Sequence, residues 1–406
     1  MNNDVPSWDL LRRRLIGAQF SPRAVSALRQ AIDQAERLLG RSWPHRQFER
    51  KGWWPDEFNL LAYNAAVLPL FLALTLRLGA AAEEPTFDEV LRGLKRGVTT
   101  NGWRHALLQL EVGRAMRGPG TAITYEPEID GSANRADLAV TRPDGTSFLI
   151  ETTSLSRAND DLTWEEYERR LWQAVTVLEV RYHVCIAIQL VNHPDEAETV
   201  AWLNAIELAA RSHSPAADAR IIESKAGLAE IHGRGSVMPE STFIGAAEAR
   251  DGWRRLGRAV QGKARQSAGP LPVWLRIDAL DGFFQFTDWT QLEWDDRVER
   301  VATAFQEDLG SAEHLAGVVL SSGPCVAPGA TDPAVENQTT RTANGHGLRR
   351  LLGPYVVRET IIIPLRNDAT GERDRWAFAY STEPYWLQHD LASRKLPALE
   401  EFLSGQ

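Results

Sequence analysis

NGWRHALLQLEVGRAMRGPGTAITYEPEIDGSANRADLAVTRPDGTSFLIETTS, residues 101–154, holds one helical pattern followed by three strand patterns. Apolar residues at Trp103, Ala106, Leu107, Leu110 and Ala115 recur close to the i, i+3, i+4 spacing that predicts a helix over 101–117. Gly118 and Pro119 stop it. Residues 124–129 alternate as a strand does, and after a turn at Asp130, Gly131 and Ser132 a second strand is expected over 136–140. The turn signal Arg142-Pro143-Asp144-Gly145 separates it from a third, over 148–154. Glu151 interrupts that otherwise apolar and β-branched run, and a carboxylate there needs a reason.

Three acidic residues stand out: Glu111 on the helix, Asp137 opening the second strand and Glu151 inside the third. A meander puts Asp137 and Glu151 on adjacent strands. Two carboxylates on one sheet face raise each other's pKa unless a cation sits between them. Mg²⁺ supplies that charge and prefers carboxylate and carbonyl oxygens with several retained waters. The constellation therefore points to a metal site.

With this order of elements and these acids, the stretch resembles the PD-(D/E)xK nuclease superfamily. In that family a helical Glu, a strand Asp and the Glu of an E-x-K element surround one or two Mg²⁺ ions. The resemblance implies Glu111, Asp137 and Glu151 as metal ligands, joined by the carbonyl of Thr152, while Tyr125-Glu126-Pro127-Glu128-Ile129 has the look of the strand preceding the Asp. It implies a restriction-endonuclease-like α/β fold with a mixed-sheet core. It also implies Mg²⁺- or Mn²⁺-dependent hydrolysis of phosphodiester bonds in DNA, with RNA the alternative substrate, and a role in bacterial defence fits it.

Thr153 stands where the family usually has Lys. A lysine there holds and polarises the attacking water, whereas a Thr hydroxyl orients water without adding charge. Three alternatives follow: another element supplies the cation, metal alone activates the water, or the chain is a catalytically inactive module that binds nucleic acid or a protein partner. Only five residues are Lys, and Lys263 lies in the basic helical pattern around Arg254, Arg255, Arg258 and Arg265. On a helix it shares a face with Arg255, Ala259 and Gln266, a face suited to supplying the missing cation or gripping a phosphate. The plainer reading of that face is a solvated basic helix.

The totals bound what else the chain does. At 406 residues, 43% hydrophobic and 24% charged, it has ordinary globular composition with room for two or three domains. We expect a helical region over 1–98, the nuclease-like core over 99–290 and an α/β extension over 291–406. Two distant cysteines without metal spacing suggest a reducing cytoplasm. A net charge of −9 excludes an evenly basic surface, yet a local groove is what phosphates require. The first residues carry no secretory pattern. The apolar run at 60–78 contains Asn64, Pro69 and Arg77 and falls short of the roughly 20 residues needed to span a membrane.

Elsewhere, Ser21-Pro22 predicts a helix start and Gly40 its end, Pro55 opens a helix that Gly79 closes, and Thr86 caps another through Leu94. Residues 41–54 interleave basic and aromatic side chains, which suits either a nucleic-acid platform or a loop anchored by its tryptophans. Thr163 and Glu166 form a capping box, and residues 183–191 read as a buried strand of the core sheet. Asp195 caps a helix to Arg211, and 228–244 has strand character broken at Gly233. Further strands are expected from Val273, over 315–321, 360–365 and 376–380, with an amphipathic helix over 292–309 and a long loop over 322–347. Glu126, Glu128 and Asp130 read as a solvated face. No Gly-rich phosphate loop, H-E-x-x-H cluster or serine-hydrolase elbow occurs.

Overall fold

The structure is a computed structural model. It describes residues 7–16, 20–51, 68–96, 101–130, 134–155, 167, 171, 174–175, 177–179, 181–190, 195–214, 218–233, 242–243, 252–279, 293–322, 325–326, 337–353 and 356–403. The chain forms two compact units, 1–156 together with 252–406, and 157–251. These units differ from the three consecutive segments expected, because strands before and after the second unit join one sheet.

In the first unit the helices α1 (Trp8–Ile16), α2 (Pro22–Leu39), α3 (Trp43–Lys51), α4 (Leu68–Ala81), α5 (Phe87–Arg96) and α6 (Asn101–Met116) precede the strands β1 (Ala122–Tyr125), β2 (Leu138–Thr141) and β3 (Ser147–Leu155). The second unit holds β4 (Val184–Leu190), α7 (Glu196–Arg211), β5 (Arg220–Glu223), β6 (Gly227–Gly233) and β7 (Thr242–Phe243). The chain then returns with α8 (Gly252–Gln266), β8 (Val273–Ala279), α9 (Trp294–Leu309), β9 (Leu315–Ser322), β10 (Cys325–Val326), β11 (Gln338–Arg341), β12 (His346–Gly353), β13 (Val356–Pro364), α10 (Thr370–Ser381), α11 (Trp386–Ser393) and α12 (Leu399–Leu403).

The first unit is built on a mixed sheet in the order β1-β2-β3-β8-β9-β13-β12-β11, with β10 beside β13. β1 to β3 form an antiparallel meander, β3, β8 and β9 run parallel, and β13 to β11 are antiparallel again. Alternation along the strands divides two cores. Leu138, Val140, Ile150, Trp274, Val319 and Ile362 face α2, α4, α5, α6 and α10. Leu149, Leu275, Ile277, Val318, Leu320 and Ile363 face α8 and α9. The result is a sheet with helices on both faces, a mixed α/β architecture in which β9 is buried along its whole length.

Parallel pairing of β3 with β8 requires a crossover, and α8 supplies it. The second unit, 157–251, is inserted in that connection. The strand expected to complete the core at 183–191 is therefore β4, which lies in a separate sheet ordered β5-β6-β4-β7, and β8 takes the core place instead. That smaller sheet packs Ile186, Ile188, Ala229 and Ile231 against Trp202 and Ile206 of α7. Asp195 caps α7 in a capping box with Glu198, as expected.

Several local expectations are corrected. The first strand ends at Tyr125 rather than Ile129, because Glu126 takes φ +50°. Residues 376–380 are helical: Trp376, Ala377 and Tyr380 fall on one buried stripe, and a short apolar run does not distinguish the two periods. The long loop at 322–347 contains β11. Residues 43–51 form a helix whose Trp43 stacks against Trp8 and packs on Trp103, so that ring serves the core. Ser21 accepts a hydrogen bond from Ala24 N–H as the N-cap of α2, and Gly40, φ +102°, ends it. Thr86, φ +61°, donates its hydroxyl to the Tyr125 carbonyl and so ties α5 to β1 instead of capping with its side chain. Gly79 lies within α4. Pro55, Thr163 and Glu166 lie outside the described residues. No helix among the described residues is long and apolar enough to cross a membrane.

Candidate functional site

The end of β2, the middle of β3 and the two flanking helices α6 and α8 bring a set of polar side chains together. On β3, odd-numbered residues face α8: Leu149 lies in that core, and Glu151 follows two residues on. Even-numbered residues face α6, which gives Ile150 and Thr152 the other side. Asp137 sits just before β2, where Glu126 N–H donates to its carbonyl at 2.9 Å, and its carboxylate is reached from both faces.

Asp137 Oδ2 accepts from Thr152 N–H at 2.6 Å, from Thr152 Oγ1 at 3.0 Å and from Lys263 Nζ at 3.3 Å. Its Oδ1 lies 3.1 Å from His105 Nε2. Lys263 Nζ also donates to Glu151 Oε2 at 2.9 Å, so one ammonium bridges both carboxylates. Asp137 and Glu151 are only 6% and 2% exposed, a placement that two like charges tolerate when a cation shares it. Lys263 thus brings a positive charge from α8 to the Asp137–Glu151 pair. Thr153 itself follows Glu151 on the same strand face and is half-buried.

Electrostatics separates the two carboxyls. Burial alone raises Asp137, but the His105 hydrogen bond and charge, Lys263 and the Thr152 N–H outweigh it and hold that group below the ordinary carboxylate range. Burial, reinforced by the Asp137 charge, pushes Glu151 upward, and Lys263 offsets this only in part. Burial lowers His105, yet the hydrogen bond and charge of Asp137 prevail and raise it. Its Nδ1 lies 3.3 Å from Thr152 Oγ1, so both ring nitrogens are engaged, and one must give up its proton and its contact before it can ligate an ion. Lys263 is likewise lowered by burial but raised overall by Asp137 and Glu151.

His105 and Glu126 enlarge the site beyond what the sequence reading proposed. One ligand atom each from His105, Glu126 and Asp137 lie within 4.8 Å of one another. Glu126 departs from the solvated face expected of it: its positive φ breaks the alternation, and Gln109 Nε2 donates to its Oε1 at 2.7 Å. Glu128 and Asp130 do remain exposed. His105 and Gln109 are four residues apart on α6 and share its face toward the site.

Glu111 does not join them. It lies six residues beyond His105, about 240° around the helix. Its Oε1 is engaged by Arg276 Nη2 at 3.1 Å, Arg358 Nη1 at 2.9 Å and Tyr380 Oη at 3.2 Å. Two guanidiniums on one carboxylate oxygen leave it a poor cation ligand, and neither His105 nor Arg114 is its partner. Thr152 contributes its N–H and hydroxyl to hold Asp137.

A divalent cation fits the donor set. Glu151 Oε1 is buried and accepts no hydrogen bond among the described residues, an exception that calls for an ion or water. Separately, Asp137, Glu126 and His105 bring two carboxylates and an imidazole within 4.8 Å of one another, a mixed oxygen and nitrogen set that shares Asp137 with the Glu151 pair.

No protein-family model, no curated protein and no solved structure matches the chain. The fold and the site thus define its class by themselves: a mixed α/β protein with a buried carboxylate pair bridged by lysine and flanked by histidine.

Proposed function

We propose that the chain is a nuclease dependent on Mg²⁺ or Mn²⁺ that hydrolyses phosphodiester bonds in DNA or RNA. The observation that carries this reading is the buried Asp137–Glu151 pair with Lys263 between the carboxylates and Glu151 Oε1 unpaired. The order helix, three strands, crossover helix, strand, formed by α6, β1 to β3, α8 and β8, supports a restriction-endonuclease-like core within the first unit. A role in bacterial defence and residence in the cytoplasm belong to the same proposal.

Asp137 and Glu151, with His105 and Glu126, would hold the cation. When bound, a divalent ion lowers the pKa of water and offsets charge on the scissile phosphate. The rest falls to the chain's own groups. Thr152 fixes the Asp137 carboxylate through two donors, so its orientation is set before substrate arrives. Lys263, partly exposed at the site, donates to a phosphate oxygen as negative charge builds there. Thr153 holds water from the Glu151 side without supplying charge. Gln109 fixes Glu126.

The test is cleavage of single-stranded DNA, double-stranded DNA and RNA with Mg²⁺ or Mn²⁺, comparing the chain with Asp137→Ala. We expect cutting by the first and none by the second. Equal cutting by both contradicts the proposal. Thr153 favours a second reading, an inactive module that binds nucleic acid or a protein partner. That module retains binding in Asp137→Ala and cuts nothing in either form.

A further inference from the structure

We propose that Lys263 is a stand-in for the divalent ion: its ammonium occupies the cation position between Asp137 and Glu151, and metal binding displaces it. This rests on the metal-dependent reading of the site and adds how that site is kept without metal. Lys263 Nζ is 2.9 Å from Glu151 Oε2 and 3.3 Å from Asp137 Oδ2, and Asp137 also belongs to the set with His105 and Glu126 whose ligand atoms lie within 4.8 Å of one another. A doubly charged ion and an ammonium repel each other there, and both carboxylates are too deeply buried for water to screen them.

The lysine is built to leave. Its side chain is 24% exposed while the Asp137 side chain is 8% and the Glu151 side chain 2%, so the cation can swing outward where the anions cannot. Four rotatable bonds allow that movement, and its compact ammonium regains full hydration outside. Lys263 also lies in the last turn of α8, where the helix dipole favours positive charge after displacement. Arginine in its place would remain clamped, since a planar fork pairs bidentately with carboxylate. Exchange would keep both carboxylates facing a cation with or without the divalent ion. It also delivers the freed ammonium to the solvent side, where a phosphate approaches.

The experiment is Mn²⁺ binding to the full chain, read from the loss of the free Mn²⁺ paramagnetic resonance signal, for the wild type, Lys263→Met and Asp137→Asn. Removing the competing ammonium should tighten Mn²⁺ binding by about tenfold or more in Lys263→Met, and Asp137→Asn should weaken it. Equal or weaker binding by Lys263→Met, with the wild type binding, overturns the exchange and leaves the metal site standing. No Mn²⁺ bound by folded wild type or Lys263→Met overturns both. Should Lys263→Met fail to fold, reductive methylation of the wild type decides: Lys263 should react several-fold faster with Mn²⁺ present while Lys95, Lys225 and Lys395 keep their rates. An unchanged or slower rate at Lys263 sinks the proposal.

Discussion

Helix α6 carries two clusters of buried charge, one at His105 and one six residues later at Glu111, and they differ in what they leave open. Around Glu111, Arg276 and Arg358 pair with Glu111, Glu383 and Asp278, and Tyr380 Oη adds a hydrogen bond. The Arg276 side chain is 0% exposed, and the cluster ties α6 to β8, β13 and the residues after α10. Around His105, the His105 and Lys263 side chains are 31% and 24% exposed. The first cluster is a closed brace. The second is open to ligand. Both clusters hold one carboxyl below and one above the ordinary range, Glu111 and Glu383 in the first as Asp137 and Glu151 in the second, so it is exposure rather than pKa that sets them apart.

The sharpest way to break this contrast is to cut each cluster at its cation. Arg276→Met leaves Glu111 and Asp278 buried beside one fewer guanidinium. It should cost about 3–5 kcal/mol in urea unfolding, the range for breaking a buried pair on one side. A loss below about 1 kcal/mol would mean the brace carries no structural role. Lys263→Met also takes the bridging ammonium from two buried carboxylates and should lower the unfolding midpoint as well, but unlike Arg276→Met it should cut cleavage by the protein still folded about 100-fold. Cleavage retained in Lys263→Met would remove that lysine from the chemistry.

His105→Gln is expected to have a smaller effect, reducing Mn²⁺ affinity by about tenfold through loss of the imidazole beside Asp137. Titration of the variant against the wild type checks it, and unchanged affinity would confine His105 to packing.

The smallest effect concerns pH. Glu151 has a folded-state pKa raised above its unfolded value, so between the two the native state binds more protons, and its contribution to stability falls as pH rises. Glu151→Gln should therefore gain stability relative to wild type as pH rises from about 4.5. Asp137 is depressed and works in reverse: its contribution is present above the unfolded pKa and is lost as pH falls toward the folded one. Thermal melts of Glu151→Gln and wild type at acid and mildly alkaline pH measure the first trend. A difference that stays constant contradicts it.

Much of the first unit could be read along the chain. The helical stripe of α6, the turn at Arg142 to Gly145 and the acid inside β3 are local signals, and each element formed near its expected bounds. Asp137, Glu151 and Lys263 were legible for the same reason: a carboxylate in an apolar strand and a rare lysine stand out residue by residue. Glu111 matches a family pattern by order along the chain, but rotation around the helix carries it away from Asp137 and puts His105 and Gln109 at the site instead. Glu126 was hidden by its own backbone, since alternation assumes an extended chain and φ +50° breaks it. The place of β8 was hidden by distance. About a hundred residues of inserted chain separate it from β3, and β4 offers an equally apolar strand sooner, so periodicity alone could not choose between them.

The measurement that tests the central claim most directly is anomalous diffraction from crystals of the chain soaked in Mn²⁺. The account predicts a dominant anomalous peak in contact with Asp137 and at least one of Glu151, Glu126 and His105, with Lys263 turned away from Glu151. A peak confined to other surfaces, with Lys263 still bridging Asp137 and Glu151, would contradict it.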